Sequence, residues 1–142
     1  MKTLTTDTLV EDIQRTAREA RGQFPTHDCE ALARQAGIDP QSLISDLDTY
    51  FYDVWSPANG VKKLPRKSDA WLSELKAFLE QDFVSRYAQY AMLEARITRE
   101  AAPDLYQRLR LFETLRKKLL LFVSELLTQA EAGKKPRETA GV

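Results

Sequence analysis

Apolar residues recur at helical spacing along almost the whole chain. Val10, Ile13, Ala17 and Ala20 share one face of a helix expected over 9–21. Thr8 with Glu11 three residues on is a capping box at its start, and Gly22 and Pro25 stop it. A second helix, over about 27–36, starts at the hydroxyl of Thr26 and ends at Gly37, the natural residue for a left-handed C-cap. Asp39 caps a third, with Pro40 at the first helical position, where its missing N–H costs nothing. Leu43, Ile44, Leu47, Tyr50, Phe51 and Val54 carry that helix to about Trp55.

Residues 56–68 read as a loop, because Pro57, Asn59-Gly60 and Pro65 are turn signals. Beyond them the pattern changes in scale. No glycine or proline occurs over 69–101, which predicts a rod roughly 50 Å long. Its stripe is Leu72, Leu75, Leu79, Phe83, Tyr87, Tyr90, Leu93 and Ile97. Pro103 interrupts, and a second rod is expected over 104–130. Leu105, Phe112, Leu119 and Leu126 recur there every seven residues, with Leu115 and Phe122 between them. That is a coiled-coil seam, and these six residues are the expected oligomer interface. Leu120, Leu121, Val123 and Leu127 make the same stretch apolar on a second side, which also needs cover. A homodimer or higher oligomer would supply it. The tail over 131–142, with Gly133, Pro136 and Gly141, reads as disordered.

The expected fold is therefore all-α: a three-helix module (1–55), a basic loop (56–68), a long two-helix hairpin of bundle or coiled-coil type (69–130) and the tail. At 142 residues such a chain can bury a real core.

Composition narrows the chemistry. Lysine plus arginine and aspartate plus glutamate stand at 21 each, so global charge points to no polyanionic partner. The single cysteine, Cys29, cannot form an intrachain disulfide and suits a reducing compartment. No apolar leader follows Lys2, and the most apolar stretch, 119–127, is too short to span a bilayer. A cytoplasmic protein with no membrane association is expected. With one histidine, His27, and one cysteine, histidine-rich metal sites and zinc fingers lack ligands. No Gly-x-Ser-x-Gly turn accompanies His27 for a catalytic triad, and no Gly-x-Gly cradle occurs. No enzyme activity, metal or cofactor is expected. His27 reads as a helix-start residue and Cys29 as a small buried thiol.

One stretch has functional content. Residues 30–47 read Glu-Ala-Leu-Ala-Arg-Gln-Ala-Gly-Ile-Asp-Pro-Gln-Ser-Leu-Ile-Ser-Asp-Leu. Ala33 and Ala36 are small where two helices would cross, Gly37 turns the chain, Ile38 plugs the corner and Asp39 caps the next helix. The stretch resembles the helix-turn-helix of bacterial transcriptional regulators, and Arg21-Gly22-Gln23-Phe24 resembles the tetracycline-repressor type. The resemblance implies double-stranded DNA as a partner, read by Gln41, Ser42 and Ser45, with Lys62, Lys63, Arg66 and Lys67 of the basic loop on phosphates. The overall plan is also similar to small terminase subunits of tailed phages. One departure opposes this. Residues 26–55 hold six acids (Asp28, Glu30, Asp39, Asp46, Asp48, Asp53) against one base, Arg34, and affinity for DNA rests largely on phosphate neutralisation. Arg15, Arg18 and Arg21 with the basic loop would have to compensate. The leading expectation is a non-enzymatic DNA-associated regulator dimerising through its C-terminal helices; the alternative is a protein-binding adaptor, anti-factor or chaperone in which the motif is only a tight corner and the acidic helix docks a basic protein.

Overall fold

In the computed structural model, residues 2–20 and 25–141 are described, with side chains over 8–20 and 25–131. Among these the chain is all-α, with no strand. Helices α1 (Lys2–Ala20), α2 (Thr26–Ala36) and α3 (Pro40–Asn59) lead into 3-10 turns over Val61–Arg66. Then come α4 (Asp69–Leu79), the short α5 (Phe83–Arg86), a 3-10 segment over Ala88–Arg96 and the long α6 (Pro103–Gly141).

Several boundaries differ from the sequence expectation. Helix α1 starts at Lys2, so Thr8 lies within it and caps nothing. Pro25, with no side-chain cap, precedes α2, and Thr26 is its first residue. Helix α3 runs four residues past Trp55, through Pro57. In a last turn Pro57 removes a single backbone hydrogen bond, and burial of Ala58 holds the turn against the core. The expected loop is likewise ordered. Val61 and Leu64 are buried, and residues three apart share a face of a 3-10 helix.

The rod expected over 69–101 is broken twice. Helix α4 ends at Leu79, and the Asp82 carboxylate accepts from Ser85 N at 2.9 Å to start α5 anew. A short carboxylate can offer the backbone this alternative to continued helix without any glycine or proline. The breaks bring Phe83 and Tyr90 face to face, with centroids 5.4 Å apart.

These breaks change the architecture. The chain folds back, and α6 lies against α1, α2, α3 and α4. One core cluster joins Ile13 and Ala17 of α1, Leu43 and Leu47 of α3, Leu79 of α4 and Leu119 of α6. The expected seam is thus real but internal. Leu105, Phe112, Leu115, Leu119 and Phe122 are buried by the chain's own helices, and Leu126 is half-buried. Phe112 stacks on Phe51 at 3.9 Å. As an oligomer interface the seam is already occupied. Heptad spacing specifies that a helix packs, not what packs on it. Helix α6 also continues through the stretch expected to be disordered, as far as Gly141.

Three basic residues of α6 tie the bundle together. Arg108 Nη2 donates to Ala20 O at the end of α1, and Arg116 Nη1 donates to Leu79 O at the end of α4, each at 2.5 Å. A cation at a helix C-terminus meets both the orphan carbonyl and the negative end of the dipole. Lys118 Nζ reaches Thr16 Oγ1 at 3.1 Å and Asp12 Oδ2 at 2.8 Å. Its hydrogen bond, more than its charge, holds the Asp12 carboxyl below the usual value.

Candidate docking surface

The α2–α3 corner is built as its sequence predicts. Gly37 has φ 71°, in the left-handed region that a Cβ disfavours. Ile38 N donates to Ala33 O at 2.8 Å and Gly37 N to Arg34 O at 3.3 Å, the paired bonds of a Schellman ending. Asp39 accepts from Ser42 N at 3.1 Å and from Ser42 Oγ at 2.9 Å, closing the first turn of α3.

Helix α3 buries Leu43, Leu47, Tyr50, Val54 and Ala58. Its opposite side exposes Gln41, Ser42, Ser45, Asp48, Thr49, Tyr52 and Asp53. Tyr52 is 61% exposed, on a helix side that also exposes Asp48 and Asp53 and carries no base of its own. The Ser42 hydroxyl, expected to read a base, is engaged by Asp39. Asp46, expected to point outward, is half-buried and accepts from Tyr90 OH at 2.5 Å. Burial, with Asp46 behind it, pushes the Tyr90 phenol up to about 12.

Lys62, Lys63, Arg66 and Lys67 are all exposed, and Lys67 Nζ lies 4.8 Å over the Trp71 ring. They follow the C-terminal end of α3, whereas Gln41, Ser42 and Ser45 sit at its N-terminal end. From Gln41 to Asn59 the helix rises roughly 27 Å. The expected base readers and phosphate grips are therefore not brought together. Of the arginines expected to help, Arg15 pairs with Asp12 and Arg18 is exposed. Arg21 lies outside the described residues, as do Gly22, Gln23 and Phe24.

Elsewhere the chemistry is sparse. Cys29 is fully buried, and desolvation pushes its thiol up to about 12, so it is no nucleophile at neutral pH. His27, exposed in the first turn of α2, stands apart from any cluster of metal-ligating side chains among the described residues. No described helix is long and apolar enough to cross a membrane. A cleft of about 410 Å³ opens between α5 and α6. It has no local signature in the sequence, because its walls are far apart in the chain.

No curated protein and no solved structure matches this chain. The profile of one family, described as YxiJ-like protein, matches residues 11–121, a span that runs from within α1 to within α6 and takes in all the elements between. The chain belongs to the YxiJ-like protein family.

Proposed function

We propose that this protein is a non-enzymatic binding module that docks a basic protein through the exposed side of α3. The observation that carries this reading is Tyr52, 61% exposed in a stripe with Asp48 and Asp53 and no base. Aromatic rings ringed by polar groups are the usual anchors of protein interfaces. Carboxylates beside such an anchor speed encounter with a cationic partner and repel polyanions. The same two acids oppose phosphate contact by a DNA-reading helix. A basic turn about a helix length away from the base readers gives them no phosphate clamp.

A photo-crosslinking amino acid in place of Tyr52 tests the reading inside cells. It is expected to trap one basic protein, and Asp48→Lys with Asp53→Lys should abolish the adduct. Random duplex DNA is the opposing probe. A gel shift at about 50 mM salt, where phosphate contacts are strongest, that disappears when Lys62, Lys63, Arg66 and Lys67 become alanine would replace this reading with the DNA-associated regulator.

A further inference from the structure

The cleft between α5 and α6 differs in chemistry from the α3 stripe. Its floor is apolar: Phe83, Val84, Ile97 and Leu109. Those four residues also close a small void of about 10 Å³ above Leu43, Leu47 and Leu105, so the floor rests directly on the core. One wall is a single face of α6. Tyr106, Arg110, Glu113 and Lys117 line it, and from first to last they rise roughly 16 Å, about three turns.

The two rims carry opposite charge. Asp82 and Glu94 stand on the α5 side, Arg110 and Lys117 on the α6 side. Glu113 adds little net charge, because Arg116 binds both of its oxygens. Glu94 and Lys117 have no ion-pair partner among the described residues. Both walls are helical, so no strand edge offers backbone groups to an extended peptide.

From this geometry we infer that the cleft docks an amphipathic helix of a partner protein, with its apolar stripe on the floor and flanks of opposite charge, acidic along α6 and basic along α5. Three turns of wall match apolar anchors at i, i+3 or i+4, and i+7. The rims set which flanks are accepted, as flanking charges select partners in coiled coils. Because reversing the helix exchanges its flanks, what the rims select is a dipolar helix over one with two acidic or two basic flanks.

The test uses three synthetic peptides of roughly 16 residues, long enough for marginal helix in solution. They share one leucine stripe and differ only in their flanks: glutamate on one and lysine on the other, glutamate on both, or lysine on both. Fluorescence anisotropy with the intact protein should show the dipolar peptide binding about tenfold tighter than either other at low salt, with the preference fading at about 0.5 M. Arg110→Glu with Lys117→Glu makes both rims acidic and should move the preference to the all-lysine peptide. Thr114→Trp, on the exposed side of the α6 wall, should fill the cleft and remove binding without lowering the melting temperature. Equal binding of all three peptides, or binding that survives Thr114→Trp, overturns the inference. So does a cleft that takes a medium-chain fatty acid but no peptide, since that makes it a small-molecule site.

Discussion

Asp28 Oδ2 lies 3.0 Å from the backbone nitrogens of both Asp104 and Leu105. A side chain of α2 thus caps the start of α6 from more than seventy residues away. Pro103, the first residue of α6, has no N–H, and the next two donors converge on one buried carboxylate. The negative charge also meets the positive end of the α6 dipole.

Asp28→Ala leaves two backbone donors, that of Leu105 buried and that of Asp104 partly buried, without their acceptor. Unfolding in urea should show a loss of about 2 kcal/mol, the scale of a cap made by a charged acceptor. Asp28→Asn keeps one acceptor and should recover part of that loss. An unchanged midpoint for the alanine variant would mean that the α6 terminus is held by something else.

Gly37 at φ 71° would have no neighbour within 4 Å of an added Cβ. The cost of a side chain there is conformational and not steric. Gly37→Val is expected to destabilise by about 1–2 kcal/mol, and Gly37→Asn by less, because asparagine tolerates the left-handed region. Equal stability of all three proteins in thermal melts would show that the corner relaxes out of the Schellman geometry.

Two neighbouring leucine positions on α6 separate its buried face from its open one. Leu119 is fully buried and Leu121 is 54% exposed. Leu119→Asp should unfold the protein, since an unpaired charge cannot be accommodated in the core. Leu121→Asp should stay within about 0.5 kcal/mol of the parent. With the seam consumed inside the chain, sedimentation equilibrium at low micromolar concentration is expected to return the 16.3 kDa monomer mass. A dimer mass that Leu121→Asp reduces to that of the monomer would show that α6 still pairs through its open side.

Alkaline pH supplies a further check. The Tyr90 phenol is raised to about 12, so the folded state holds its proton more tightly than the unfolded chain does. Its contribution to stability is complete below the unfolded value, near 10, and is lost as pH rises through about 12. Tyr50, raised as well by desolvation, acts in the same direction. Denaturant midpoints should fall over that interval, and less steeply in Tyr90→Phe. A parallel fall in both proteins would place the sensitivity elsewhere.

What the sequence determined by itself is local. Gly37, Asp39 and Pro40 specify a corner because a left-handed glycine, a side-chain cap and a missing N–H act within a few residues. Periodicity marked the buried faces of α3 and α6 for the same reason, since a helix brings i, i+3 and i+4 together wherever it lies.

The tertiary structure decided what those faces meet. Spacing shows that Leu105 through Phe122 need cover, but the covering helices are α1, α2, α3 and α4, in a chain whose expected rod is interrupted after Leu79 and restarts where the Asp82 carboxylate caps α5. Nothing in the sequence assigns partners to Arg108, Arg116 and Lys118, because those partners, Ala20, Leu79 and Thr16, lie 88, 37 and 102 residues away. Asp46 reads as an outward acid until Tyr90, 44 residues on, arrives over it. Local preference acts through neighbours along the backbone, whereas burial and charge act through space, and only the folded path of the chain converts one into the other.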